Sequence, residues 1–357
     1  MNGESFACKL HDYFVRRREE AVRRGQQQLA AVPDVETIRT IIDAAFWASL
    51  RREEGYVPKI SLAFLSAGQS YAPIVLDRPL SLSAAALARV SPAVERPGIH
   101  LGVWYNQDEV SVWGMTRNVP VMCFVLEVAA PGLLVVKHHT GDETRKFVNV
   151  AVLEGDQVKM VDECVSGQSD CHALLTSLLG FESPGSWIQS VNPMVKLAVS
   201  MRAHGRGGSL LVVPANTEAW RESIVQPIPY AVSSPFSELT PMNDPIVTAV
   251  AGLTAVDGAV VLTDRYELLG FGAKIVRRTK MPQVEQVTIT EPVEGSKPIL
   301  VHPEQLGGTR HFSAAQFIQD QRDAVALVAS QDGRFTIFEW SQNEQMVHAH
   351  RLDALLL

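Results

Sequence analysis

An α+β fold in two domains is what the sequence predicts, on three observations. At 357 residues the chain outgrows a single hydrophobic core. Helical spacing of apolar residues is confined to the first fifty or so positions and is followed by a run of short strands. Past Ser183-Pro184-Gly185 the texture changes to alternating helix and strand. The expected domains are therefore residues 1–185, helical and then β-rich, and residues 190–345.

In the first domain, Phe14, Val15, Val22 and Leu29, then Val35, Ile38, Ile41, Ile42 and Phe46, recur at helical spacing on either side of Pro33. Two helices over residues 8 to 55 follow. The segments KISLAFLS, IHLGVWYN, VSVWGMT, VPVMCFVLEV, GLLVVKHH and FVNVAVLEG are rich in β-branched and aromatic residues and bounded by turn residues, so they read as strands. Trp47, Trp104 and Trp113 are expected to anchor this domain's core.

In the second domain, Asn192 and Pro193 form an N-cap and first-turn pair for a helix reaching about Ala203. His204 to Gly208 reads as the glycine-rich stop of that helix. GGSLLVVPAN is a strand, TEAWRESI a short helix and NDPIVTAVAGLTA another helix. DGAVVLTDRYELLGFGAKI is a hairpin turning at Asp264-Arg265. FSAAQFIQDQ is a helix, and DAVALVASQDGRFTIFEW is a hairpin turning at Asp332-Gly333.

Composition limits the function. Hydrophobic residues make up 46% and charged residues 20% of the chain, as in a soluble globular protein. A formal net charge of -7 argues against a nucleic-acid footprint, which needs clustered Lys and Arg, but leaves room for a small anion. Arg16, Arg17 and Arg18 are interleaved with Glu19 and Glu20 and read as a solvated helix face. No apolar run is long enough to span a bilayer, and the amino terminus has no secretory pattern. Cys8, Cys123, Cys164 and Cys171 lack disulfide-scaffold spacing. A cytoplasmic location is expected.

Most side-chain clusters read as structure. Cys164, Cys171 and His172 are too widely spaced for a zinc ribbon. His138 and His139, adjacent on a strand, point to opposite faces and cannot share one metal; they read as an exposed turn. No Walker loop, dinucleotide fingerprint or hydrolase elbow is present. The exception is the segment after Gly307. Gly307, Gly308 and Thr309 form a loop before a helix whose unpaired N–H groups and positive dipole end suit an anion. Arg310 can fork two hydrogen bonds to a phosphate, and His311 can donate one more. Fifty residues earlier, Asp257 and Gly258 stand at the mouth of a strand, where a carboxylate can hold a cation or a sugar hydroxyl.

Asp257-Gly258-Ala259, followed in order by Gly308-Thr309-Arg310-His311-Phe312-Ser313-Ala314, resembles the two signatures of the diadenylate cyclase (DAC) domain family, Asp-Gly-Ala and Gly-Thr-Arg-His-Arg-x-Ala. The stretch AHGRGGSLLVVP is similar to that family's opening helix and strand, and SSPFSEL to the segment before its next helix, so the likeness spans about residues 190 to 345. It implies a DAC-like mixed β-sheet flanked by helices that binds nucleotide. By resemblance, Asp257, Gly258, Ala259, Gly308, Thr309, Arg310, His311 and Ser330 contact the nucleotide, Asp257 and Asp332 face a metal, and Asp257 is the catalytic residue if the domain is a cyclase. Such a cyclase uses Mg²⁺ or Mn²⁺ and joins two ATP molecules held by facing domains into cyclic di-AMP, which requires a homodimer.

Two departures weigh on catalysis more than on binding. The family's second arginine is Phe312 here, and its Ser-Glu-Glu turn is Ser330-Gln331-Asp332. The pattern, a DAC-like domain behind a long amino-terminal region, is similar to bacterial groups described as probable sensor domains, one of them labelled DACNV. The first expectation is a nucleotide-binding sensor for ATP, another adenine nucleotide or a cyclic dinucleotide, passing its state to an unnamed protein partner. The alternative is an active diadenylate cyclase, with Arg206, Arg277 or Arg278 replacing the lost cation.

Overall fold

The computed structural model describes residues 3–52, 57–70, 73–96, 98–107, 109–140, 147–155, 157–161, 193–236 and 244–356. The chain is α+β and divides into two compact units, Met1–Asp162 and Glu163–Leu356. The expected turn at Ser183-Pro184-Gly185, the Asn192 cap and the Cys164, Cys171 and His172 group lie outside the described residues.

The first unit begins with helices α1 (Gly3–Arg23) and α2 (Val35–Ser49). Pro33 ends the connection, and Asp34 caps α2 by accepting the Thr37 N–H at 2.8 Å. Strands β1 (Ser61–Phe64), β2 (Ile74–Ser81), β3 (His100–Asn106), β4 (Glu109–Thr116), β5 (Phe124–Ala130), β6 (Leu133–His139), β7 (Phe147–Glu154) and β8 (Gln157–Met160) form a mixed sheet, with helix α3 (Ala84–Val90) between β2 and β3. The order is β2-β4-β3-β1-β5-β6-β7-β8, and β1 and β3 run parallel. Alternation sorts the strand residues between two faces. Leu62, Phe64, Val103, Phe124, Leu126 and Val136 pack with Phe14, Ile38 and Ile41 of the helices. Ala63, Leu65, Cys123, Val125 and Trp113 pack on the other face.

Of the three tryptophans expected in this core, Trp113 is buried and donates to the Leu65 carbonyl at 2.7 Å, and Trp104 is half-buried. Trp47 is 61% exposed. Its place on α2 explains this: Ile38, Ile41, Ile42, Ala45 and Ala48 face the sheet, and position 47 falls off that stripe. The histidine pair points to opposite faces as expected, His138 toward Tyr13 and Phe14 and His139 toward Phe147. It is a strand end rather than an exposed turn, and His138 is buried.

The second unit runs α4 (Pro193–Ala203), β9 (Gly208–Val213), β10 (Tyr230–Phe236), α5 (Asp244–Leu253), β11 (Ala259–Thr263), β12 (Leu268–Ala273), β13 (Val287–Thr290), β14 (Ile299–Val301), α6 (Thr309–Asp320), β15 (Val325–Ala329), β16 (Phe335–Ser341) and β17 (Met346–Arg351). Its mixed sheet has the order β10-β12-β11-β9-β15-β16-β17-β13-β14. Both expected hairpins form, β11 with β12 and β15 with β16. The segment TEAWRESI closes only a 3₁₀ turn at Ala219–Ser223. SSPFSEL begins inside edge strand β10, where Pro235 is tolerated because an edge needs only one set of ladder bonds.

Helices cover both faces of this sheet. Met194, Leu197 and Met201 of α4 and Val247 and Val250 of α5 pack against Leu210, Val260, Leu327 and Ile337. On the opposite face, Ala314, Phe317 and Ile318 of α6 pack against Leu211, Val261, Val328 and Phe338. A few buried side chains of this size, each worth about 1.5–3 kcal/mol, hold each helix in place. Among the described residues, no helix is long and apolar enough to cross a membrane.

Candidate functional site: one end of the second sheet

The pairing of four strands builds the site. β9 and β11 are parallel, with Leu210 opposite Val260, so their amino-terminal ends, Gly208 and Ala259, lie together. β15 is antiparallel to β9 and ends there, with Ala329 opposite Gly208. β12 is antiparallel to β11 and also ends there, with Ala273 opposite Ala259. Residues just outside these ends, namely Arg206, Gly207, Asp257, Gly258, Lys274, Ser330 and Gln331, are therefore brought to one edge from four separate stretches.

Helix α6 brings Arg310 to the same place. Gly308 is its N-cap, with φ -75° and ψ -169° and no side chain to cap the first turn. Thr309, Arg310 and His311, expected in a loop before the helix, form its first turn, because Gly308 already has the extended conformation of a cap. The N–H groups of Thr309 and Arg310 lie outside the intrahelical ladder. The Arg310 guanidinium occupies the space a side chain at position 207 would need: a methyl there would fall 3.0 Å from its Nη1 and 3.3 Å from the Ala329 carbonyl oxygen. Gly205, at φ +63°, is the expected helix stop, whereas Gly207 belongs to the site.

Lys274 completes the cluster and was not foreseen. Its Nζ is ion-paired with Asp257 Oδ2. That contact, with the Arg310 charge behind it, holds the Asp257 carboxyl below its ordinary range. The sequence signal was available in the hairpin: a residue one step past the partner of Ala259 must lie beside the residues before Ala259. Of the cations proposed from sequence, Arg206 lies at this sheet end, where Gln331 reaches its carbonyl, whereas Arg277 and Arg278 act on Asp320. Arg278 pairs with Glu222 through Nε at 2.5 Å, and its N–H donates to Asp320.

Several expected contacts take other roles. Gly258, at φ +112°, is close to backbone rather than open to a ligand, since a methyl there would fall 2.6 Å from the Gly272 carbonyl oxygen. Ala259 is buried in the strand. His311 is only 3% exposed, edge-on to Phe338, and fills the space beside Gly307, where a methyl would lie 2.6 Å from its Nδ1. Burial, reinforced by Arg351, Arg334 and Arg310, pushes its pKa down to about 4, so at neutral pH it is an uncharged helix anchor. Phe312 packs against the core cluster on the α6 face and near the His302 ring.

The turn after β15 is held by its own contacts. Ser330 Oγ donates to Asp332 Oδ1, and Asp332 Oδ2 pairs with Arg334 Nε at 3.4 Å. Gln331 Nε2 reaches the Arg206 carbonyl at 3.4 Å, and Arg202 of α4 fixes the Gly333 carbonyl at 2.5 Å. These contacts fit a divalent cation poorly. Asp257 already has an ammonium partner, Gln331 is uncharged, and both Asp332 oxygens are engaged. Among the described residues no group of three or more His, Cys, Asp and Glu gathers as a metal set.

What remains is an open, cationic shelf. Lys274 and Arg310 act on Asp257, Arg334 pairs with Asp332, and Arg310, Arg334 and Arg351 all act on His311 in the first turn of α6. Two grooves are lined by other residues: one of about 730 Å³ by Gln283, Gln286, Leu300 and His302 of the second unit, and one of about 540 Å³ by Trp47, Leu50, Asp43 and Ser83 of the first.

Comparison with known proteins adds one finding to this geometry. Residues 27–117 match the family model "Probable sensor domain DACNV". The match covers α2, α3 and β1 to β4 of the first unit, the half for which sequence reasoning offered no role. No curated protein matches the chain. A solved structure described as a hypothetical membrane spanning protein from Bacillus cereus shares 17% identity, covering 50% of this chain and 69% of its own, with a TM-score of 0.30. That likeness is too low to bear on fold or location.

Proposed function

We propose that the chain is a nucleotide-responsive sensor of the bacterial cytoplasm. In this reading the sheet-end shelf of the second unit is a DAC-like site for ATP, a related adenine nucleotide or cyclic di-AMP. The first unit, where the sensor-domain match lies, is the half coupled to its occupancy and to a downstream protein partner. One observation carries the reading: Asp257, Lys274, Gly207 and Arg310, scattered over a hundred residues, meet beside an uncapped helix start. A guanidinium, an ammonium and free helical N–H groups on one edge suit phosphate oxygens. Asp257, with Lys274 drawn to a phosphate, can accept a ribose hydroxyl.

Binding without turnover follows from the placement of the departures. Gln331 supplies no carboxylate, and Phe312, standing where the family's motif has its second arginine, packs against the core cluster and brings no guanidinium to the shelf. Thermal denaturation with ATP, ADP or cyclic di-AMP at up to millimolar concentration tests binding. A rise in midpoint that Arg310→Ala abolishes is expected. Absence of a rise with all three ligands overturns the proposal. Chromatography after incubation with ATP and Mg²⁺ or Mn²⁺ should show no cyclic di-AMP. Product that disappears in Asp257→Asn would instead make the chain a cyclase.

A further inference from the structure

We infer that the shelf takes its nucleotide without a divalent cation, because the ammonium of Lys274 stands where a metal would otherwise neutralise phosphate beside Asp257. The inference rests on the nucleotide reading of this site and adds how the ligand's charge is met.

Fold geometry, not chance, supplies the ammonium. Antiparallel pairing of β12 with β11 sets Ala273 opposite Ala259, and Lys274 follows directly. The positive φ of Gly258 and Gly272 lets the two chains close to backbone contact at that point, which brings position 274 next to Asp257. A hard divalent cation needs about six oxygen ligands in near-ideal geometry and surrenders its waters reluctantly. The shelf offers it one carboxylate that is already paired. Asp332, the other acid, accepts from Ser330 Oγ, from the Arg334 N–H at 3.3 Å and from Arg334 Nε.

The pair is also suited to exchange. Both side chains are exposed, 49% for Lys274 and 90% for Asp257, and an exposed ion pair contributes little to stability. Lys274 can therefore leave Asp257 for a phosphate oxygen at small cost, and its flexible four-carbon stem lets it do so without moving the strand. Asp257 is then free for a sugar hydroxyl. Lys274 and Arg310 flank the same carboxylate, so a polyphosphate laid across the shelf meets both.

Calorimetric titration of the full chain with ATP, once in EDTA and once in excess Mg²⁺, tests this. Equal affinity within about threefold is expected. In EDTA, Lys274→Met should weaken binding at least tenfold and Lys274→Arg by less than threefold. Electron paramagnetic resonance of MnCl₂ alone should show the free-ion spectrum unchanged by the protein. ATP binding seen only with Mg²⁺, Lys274→Met binding ATP as wild type does, or Mn²⁺ bound at stoichiometric protein would overturn the inference and leave the nucleotide reading standing. No ATP binding in either buffer overturns both.

Discussion

Arg310 and Phe312 are two positions apart on α6 and so point to opposite sides of it, and that separation decides what each can do. Arg310 reaches Gly207 and the Asp257 field, while Phe312 lies against the hydrophobic cluster. Replacing Arg310 by Ala removes a charged donor from an exposed contact and should weaken ATP binding about tenfold to a hundredfold, with the melting midpoint of the free protein nearly unchanged. Phe312→Arg would restore the family's motif in letters only. It should give no gain in ATP affinity and a lower melting midpoint, because it trades core packing for a guanidinium on the wrong side; tighter binding by this variant would contradict the placement. From the sequence, Arg310 was legible as a candidate anion contact because the motif named it, and the fold sets it beside Gly207 and Asp257. His311 was not legible as an anchor, since nothing in the letters shows that Phe338 and Gly307 enclose it.

At the level of elements, the hairpin β11–β12 is the scaffold of the shelf. Gly258→Ala places a methyl against the Gly272 backbone at a φ of +112° and should destabilise the second unit by about 2–4 kcal/mol, which denaturant unfolding would measure. A shift under about 0.5 kcal/mol would mean that the two chains can part there. This hairpin and its neighbour were legible because apolar alternation flanks Asp264-Arg265 and Asp332-Gly333. Strands β13, β14 and β17 were not: β13 and β14 are only 4 and 3 residues long, and β17 joins β13, distant in sequence, by parallel pairing. The site was hidden for the same reason. It sits at the amino-terminal ends of the parallel pair β9 and β11, not in the carboxyl-end crevice usual for open α/β sheets, and Lys274 enters it only through register.

At the scale of the molecule, three of the buried histidines among the described residues link stability to pH. His100 and His138 in the first unit and His311 in the second are each pushed down to about 4, by burial first of all. Unfolded, they take up protons near pH 6.5; folded, they do so only near 4. Stability therefore falls as the pH drops through the window from 6.5 to 4, by up to about 1.4 kcal/mol per pH unit for each histidine, and is level above it. Melting curves from pH 7.5 to 4.5 should show this decline, with His311→Leu giving a shallower slope, and a flat profile would contradict it. Length and composition already pointed to a two-part chain of net charge -7. They could not announce that the excess of acid is reversed locally, where Lys274, Arg310, Arg334 and Arg351 outnumber Asp257 and Asp332.

In the proposed function, an adenine nucleotide sits on this shelf of the second unit. Photolabelling of the full chain with 8-azido-ATP, followed by peptide mapping, addresses it most directly. Label is expected in peptides of the second unit drawn from residues 202–236, 257–278, 303–321 or 329–336, suppressed by excess ATP and reduced in Arg310→Ala. Label confined to the first unit, or label that excess ATP does not displace, would contradict it.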